Sequence, residues 1–296
     1  MNASRKQISS MDFWKSEVDI MPVKGGITNQ NFIVDDSGQR YFVRVGVDIP
    51  EHGIKRFNEL AASRAASMIG LSPAVIHAEP GIMVLQYVDA DPLIAKDIRQ
   101  TDQLIEIIDL IKRCHRDIPS VYRGPALVFW VFQVLRDYSL TLREGQSDWL
   151  RHLERLQRIA QQLENDVGEI ELIFGHNDLL AANFINDGHR IWLIDWDYAG
   201  FNSPLFDLGG LASNNDFSPD EEMFLLQRYY GSAPDSELLK KYSAMKCASL
   251  LREALWSMVS EIHSNIDFDY AGYTRDNLTL FDTAWDKHQS LYTKRK

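Results

Sequence analysis

The pattern of apolar residues changes character once, near residues 86–92, and that single change limits the folds open to this chain of 296 residues. Before it the alternation is that of strands. Val23-Lys24-Gly25-Gly26 turns into Asn31-Phe32-Ile33-Val34, Asp36-Ser37-Gly38 makes a hairpin turn, and Arg40-Tyr41-Phe42-Val43-Arg44-Val45 returns, which predicts a small antiparallel sheet. An alanine-rich helix is expected over 54–69, closed by Gly70 with Pro73 beyond it. Strands at 74–78 and 82–87 flank the turn at Glu79-Pro80-Gly81. After Asp89-Ala90-Asp91-Pro92 the period becomes helical: Leu104, Ile107, Ile108 and Ile111 share one face. Further helices are predicted over 128–143, 148–165, 219–230 and 237–263. No repeat, low-complexity tract or flexible linker intervenes, so the boundary reads as a hinge between units 1–88 and 89–296.

A hydrophobic content of 45% with 25% charged residues is ordinary for a globular chain with a sizeable core. Without a long apolar run or an N-terminal signal pattern, a soluble protein with no membrane span is expected, with the cytoplasm as default location. The two cysteines, Cys114 and Cys247, lie far apart and indicate neither a disulfide framework nor a zinc site. A net charge of -11 opposes a phosphate backbone, so no nucleic-acid partner is expected; a cationic small molecule is compatible with it. The oligomeric state is open, a homodimer included.

Chemistry concentrates between His176 and Asp195. His176-Asn177-Asp178 and Asn183 precede Phe184-Ile185-Asn186, and Asp187-Gly188, a dipeptide that favours a type I′ turn, leads into Arg190-Ile191-Trp192-Leu193-Ile194 and then Asp195. Counted from the turn, Asn183 and Asp195 fall at the same open end of a hairpin, where the loop carrying Asp178 also enters. A carboxamide and a carboxylate suit Mg²⁺, which takes one or two hard oxygen ligands from protein and the rest from water and phosphate. Asp178 is then left to orient and deprotonate an attacking hydroxyl. Taken singly, each of these residues reads first as a turn cap and only then as a metal ligand, and it is the set of four in order around a hairpin that points to function. A metallohydrolase built on His176 lacks a second histidine at ligand spacing.

The same stretch, from His176-Asn177-Asp178-Leu179-Leu180-Ala181-Ala182-Asn183 through Leu193-Ile194-Asp195-Trp196-Asp197-Tyr198-Ala199-Gly200-Phe201-Asn202 to Phe206-Asp207-Leu208, resembles choline/ethanolamine kinases of the bacterial type, within the aminoglycoside-phosphotransferase-like and protein-kinase-like superfamily. Gly25-Gly26-Ile27-Thr28-Asn29 resembles that family's phosphate loop, Tyr41-Phe42-Val43-Arg44 its nucleotide-anchoring strand, and Leu85-Gln86-Tyr87-Val88 its hinge. Leu255-Trp256-Ser257 and Asp267-Phe268-Asp269-Tyr270-Ala271-Gly272-Tyr273 extend the likeness to about nine tenths of the chain.

The resemblance implies a bilobal protein-kinase-like α/β (α+β) fold, a small antiparallel-sheet lobe beside a mainly helical one, with ATP between them. It implies transfer of the γ-phosphoryl group of ATP, with Mg²⁺, to the hydroxyl of choline or a related amino alcohol. Asp178 becomes the base, and Asn183 and Asp195 the metal ligands, with Asp197 beside them where the family commonly has glutamate. Gly26, Thr28 and Asn29 would cover the phosphates, Arg44 would grip them bidentately, Glu59 would hold Arg44, and Gln86, Tyr87 and Val88 would meet the adenine.

A cationic head group is held by aromatic faces with carboxylates nearby, and Tyr198, Trp256 and Tyr273 stand at the family's pocket positions. Each reads equally as core packing. Two departures fall here: Glu253 replaces a second pocket tryptophan, and Asn214 an acidic residue. They leave choline, ethanolamine or another amino alcohol open as acceptor, and aminoglycoside or thiamine chemistry or a catalytically silent binding protein remain as alternatives. Asp207 is expected to accept backbone hydrogen bonds from the catalytic loop, and His176 to brace that loop. His115, His152 and His189 read as structural histidines on helix or turn surfaces.

Overall fold

A computed structural model of the protein describes residues 2–23 and 29–293; Gly26 and Thr28, expected over the phosphates, lie outside the described residues. Helix α1 (Asn2–Ser9) precedes β1 (Asp19–Val23), β2 (Gln30–Asp36), β3 (Gln39–Val45), α2 (Arg56–Met68), β4 (Val75–Glu79) and β5 (Ile82–Gln86). The five strands form one antiparallel sheet in the order β1-β2-β3-β5-β4. The β2–β3 hairpin turns on Ser37 (φ 55°) and Gly38 (φ 89°), both left-handed, the geometry whose twist matches the flanking strands. Phe32, Val34, Val43, Ile82 and Val84 on this sheet are covered by Ile8 and Met11 of the N-terminal segment, forming a small core of their own.

The helical part follows: β6 (Asp91–Pro92), α3 (Ala95–Ile98), α4 (Thr101–Val121), α5 (Val131–Glu144), α6 (Leu150–Val167), β7 (Ile173–Gly175), β8 (Phe184–Asn186), β9 (Ile191–Leu193), β10 (Gly200–Asn202), α7 (Pro204–Asn214), α8 (Pro219–Tyr230), α9 (Ser236–His263) and α10 (Tyr270–Thr293). The short strands pair as β6-β8-β9 and β10-β7. Helix α9 is the centre of this core and is buried along most of its length. The alanine face of α2, Ala62, Ala65 and Ala66, also belongs to this larger core, which ties the sheet to the helices. Among the described residues no helix is long and apolar enough to cross a membrane, and both cysteines are buried and free.

Four helices go beyond the sequence expectation: α1, α3, α7 and α10. Helix α7 has a clear start, Ser203 Oγ accepting from Leu205 N with Pro204 in the first turn. Its interior Gly209-Gly210 hides it, since glycine weakens helix propensity. Packing reverses that preference, because a Cβ at Gly209 would stand 2.9 Å from the Lys246 backbone, so only glycine lets α7 press this closely on α9.

The turn at Asp187-Gly188 differs from the type I′ expectation. Only Gly188 has positive φ (84°) there, and β8 and β9 are joined by a four-residue loop after the Asn186–Ile191 pair. Asp187 Oδ1 accepts from the backbone of His189 (2.9 Å) and Arg190 (3.0 Å), so the aspartate side chain shapes the loop and the second left-handed residue is not needed.

Candidate active site

Strand β7 leads into the loop that carries His176, Asn177 and Asp178. Asp207, buried on α7, accepts from the backbone N–H groups of His176 (2.8 Å) and Asn177 (2.7 Å) and lies 2.9 Å from His115 Nε2. His115 is therefore buried and paired, not a surface histidine as the sequence suggested. Burial raises the Asp207 pKa, but the His115 contact and the loop amide outweigh it and hold the carboxyl below its usual range. Asn177 adopts a left-handed φ of 65°, and its side-chain amide donates to the Tyr198 (3.0 Å) and Gly200 (3.1 Å) carbonyls. A side chain at Gly175 would meet Asn177 Oδ1 at 2.9 Å, so the loop needs glycine at that point. His176 donates from Nε2 to the Ile194 carbonyl (3.0 Å) and packs edge-on against Trp196. Its pKa is lowered by burial, which keeps the ring neutral.

The β8–β9 hairpin carries Asn183 and Asp195 to one end: Ile194 N donates to Asn183 O at 2.9 Å. Asn183 Nδ2 donates to the Asp178 carbonyl (2.8 Å), bringing all three residues together. Asp195 also takes a left-handed φ (68°), an uncommon conformation for a residue with a side chain. From β3, Arg44 reaches Asp195 Oδ2 at 2.7 Å through Nη2 and Glu59 Oε1 at 2.6 Å through Nη1, with Asp197 at 3.8 Å. Arg56 was not singled out in the sequence, although it sits three residues before Glu59 on the same helix. It contacts Glu59 Oε2 (2.6 Å) and Asp197 Oδ1 (2.8 Å), and Asn29 Nδ2 donates to Asp197 Oδ2 (3.2 Å).

These carboxyls differ in basicity. Burial pushes Asp178 up to about 7, with Arg252 pulling down and Glu253 and Asp195 pushing further up. Burial would raise Asp195 as well, but Arg44 holds it below the ordinary carboxylate value. Asp197 is pushed up to about 7 by burial and by Asp195, against Arg44 and Arg56.

Tyr198, Trp256 and Tyr273 do come together. Trp256 Nε1 donates to Tyr198 Oη at 3.0 Å, the Trp256 and Tyr273 rings stand 6.4 Å apart, and Tyr273 Oη donates to Glu253 Oε2 at 3.3 Å. Arg252, also not singled out in the sequence, is buried beside Glu253 and Asp178. Asn214 is not drawn into this group: it ends α7, half-buried, with no hydrogen bond or ion pair to these residues among those described. Its neighbour Asn215 turns inward and donates to the Leu179 carbonyl of the loop after β7 (3.3 Å). Gln86 closes β5, and Tyr87 and Val88 follow it at the exit of the sheet, Tyr87 beneath the Arg40 guanidinium (4.2 Å).

A small antiparallel sheet lies beside a helical part, and a strand-borne arginine bridges a helix glutamate and Asp195 of the hairpin between them. Residues 20–223 match the family model described as Choline/ethanolamine kinase, and the chain belongs to that family. It is 27% identical over 261 residues to Protein LicA of Haemophilus influenzae, covering 83% of this chain and 75% of that protein. To a probable ethanolamine kinase of Arabidopsis thaliana it is 27% identical over 285 residues, covering 85% and 75%. The solved structure of choline kinase LicA from Streptococcus pneumoniae has the same fold, with a TM-score of 0.77 at 22% identity over 95% of this chain and 98% of that one. The protein is an ATP-dependent kinase whose acceptor is an amino alcohol.

Proposed function

We propose that residues 1–88 bind the nucleotide and 89–296 supply the catalytic loop, the metal ligands and the acceptor pocket, for transfer of the γ-phosphoryl group to the hydroxyl of choline, ethanolamine or a close relative. The observation that carries this reading is the meeting of Asp178, Asn183 and Asp195 at one end of the hairpin, facing Arg44 from the sheet.

The residues fit a magnesium ion. Asp195 Oδ1 is buried and has no partner among the described residues, an anionic oxygen whose desolvation a cation would offset. The Asn183 amide nitrogen is committed to Asp178, so its oxygen is the end left for a cation. Among the described residues no three His, Cys, Asp or Glu side chains are grouped to hold a metal unaided, which favours a site completed by phosphate and water over a metallohydrolase centre. Magnesium held there would neutralise charge on the β- and γ-phosphate oxygens.

The chain's own residues do the rest. Asp178 accepts the acceptor's hydroxyl proton as that oxygen bonds to the γ-phosphorus and the bond to the β,γ-bridging oxygen breaks, leaving ADP. A pKa near 7 suits a base working near neutrality. Arg44, whose Nε is buried and without a partner among the described residues, offers a donor to the phosphates, and Glu59 and Arg56 hold it in place. Tyr198, Trp256, Tyr273 and Glu253 line the acceptor side.

An ADP-release assay with magnesium-ATP and choline, ethanolamine, thiamine or an aminoglycoside tests the reading. Turnover with an amino alcohol that disappears in Asp178→Ala supports it; ADP release confined to thiamine or the aminoglycoside would overturn the acceptor class.

A further inference from the structure

The face of Tyr198 that a cationic head group would use is already covered by a cation. Arg252 Cζ lies 4.2 Å from the Tyr198 ring centroid and 5.9 Å from that of Phe129. Its residue is only 3% exposed. Nη1 is occupied by Glu253 Oε1 and, at 3.5 Å, Asp178 Oδ1. Nε and Nη2 are buried as well, and neither has a partner among the described residues.

That arrangement is incomplete as it stands. Unmet donors on a buried guanidinium lose water and recover nothing, which folded chains rarely tolerate without a ligand or water to receive them. The Nε–H and Nη2–H bonds of a guanidinium run side by side, a fork that matches the two oxygens of a carboxylate. A fixed positive charge at this point also repels a quaternary ammonium ion that would otherwise lie against Tyr198. Glu253, with the Tyr273 hydroxyl on its other oxygen and Trp256 nearby, remains suited to an ammonium group.

We propose that Arg252 is a specificity-determining residue that selects an amino alcohol carrying a carboxylate, a small zwitterionic hydroxy amino acid, over choline or ethanolamine. The carboxylate sits on the Nε/Nη2 fork, the ammonium group faces Glu253 and Tyr273, and the hydroxyl reaches Asp178. This inference rests on the kinase reading above and narrows its acceptor.

The test pairs ethanolamine with L-serine, which is ethanolamine with a carboxylate added, and includes choline and L-homoserine. Kinetics with magnesium-ATP and calorimetric binding of each acceptor are measured on the intact protein, on Arg252→Met and on Arg252→Lys. The expected result is a kcat/KM at least tenfold higher for L-serine or L-homoserine than for ethanolamine and choline. Arg252→Met should raise KM for the carboxylate acceptor at least tenfold, change kcat less, and lower KM for choline; Arg252→Lys should restore part of the lost affinity. Preference of the intact protein for choline or ethanolamine overturns the inference even if Arg252→Met does not fold. Calorimetric binding of a carboxylate acceptor without turnover would keep the inference and sink the kinase reading. Absence of such binding, with choline turned over, would do the reverse.

Discussion

The Arg44 guanidinium and the Asp195 carboxylate, 151 residues apart in sequence, meet at 2.7 Å between the sheet and the β8–β9 hairpin. Arg44 places its other terminal nitrogen on Glu59, so one buried side chain joins β3, α2 and Asp195, two residues beyond β9. Asp195 has one oxygen on Arg44 and the other without a partner among the described residues. The same carboxylate is thus held in place by an arginine and left open to a cation.

Removing Arg44 takes a partner from the buried Glu59, which keeps Arg56, and from the half-buried Asp195. Arg44→Gln is expected to cost about 3–5 kcal/mol in urea unfolding, the range found when one partner of a buried ion pair is lost. Arg44→Lys keeps the charge and should recover much of that stability, yet bind magnesium-ATP more weakly because the planar fork is gone. Equal nucleotide affinity in Arg44→Lys and the parent would show that the fork has no part in holding phosphate.

Asp178→Asn keeps the shape of the loop and removes the proposed base. The rate of transfer should fall about 10²–10⁴-fold while nucleotide affinity stays within a few-fold. As the proposed base, this carboxylate accepts a proton only when ionised, and burial pushes its pKa up to about 7. The rate should therefore climb with pH toward 7 and flatten above it. A rate already flat from pH 5 upward would mean that this carboxyl ionises in the ordinary range and is not raised during turnover.

Asp207 acts on the loop from behind, with its two oxygens on the His176 and Asn177 amides and on His115. Asp207→Ala leaves these buried groups unpaired, and a loss of roughly 2–5 kcal/mol is expected, with Asp207→Asn losing less because one acceptor survives. Since its folded pKa lies below the ordinary 3.8, the contribution is present above pH 3.8 and is lost as the pH falls below it. Thermal unfolding of both variants at pH 7 checks the order; Asp207→Ala as stable as the parent would contradict it.

Much of this site was legible because its residues sit in short segments with strong local patterns. The hairpin around Asp187 put Asn183 and Asp195 at one end by counting alone, and that held even though the turn is built by the Asp187 side chain and not by two left-handed residues. Arg252 was hidden for a different reason. The sequence singled out Glu253 beside it for the acceptor pocket, but nothing in Leu250-Leu251-Arg252-Glu253-Ala254-Leu255-Trp256 shows that α9 is covered on every side at that level and buries the arginine too. Arg56 and His115 were hidden because their partners, Asp197 and Asp207, lie 141 and 92 residues away. Long-range ion pairs leave no periodic trace.

His52 offers the last prediction, since it joins the loop after β3 to helix α9. Its ring lies 5.3 Å from that of Trp256, with Nε2 3.0 Å from Ser260 Oγ and Nδ1 3.3 Å from Tyr138 Oη. Burial first, and then the Arg252 charge, push its pKa from 6.5 down to about 3, so the folded protein keeps the ring neutral where the unfolded chain takes up a proton. Stability from this site is complete above pH 6.5 and is lost on acidification between 6.5 and about 3. The loss is at most about 1.4 kcal/mol per pH unit. His52→Gln keeps a hydrogen-bonding side chain and removes the proton uptake. Between pH 6.5 and 5 the parent should lose up to about 2 kcal/mol relative to this variant in urea unfolding, with no relative change from pH 7 to 8. Parallel stability curves across pH 5–6.5 would mean that the folded protein accepts the proton as readily as the unfolded chain does.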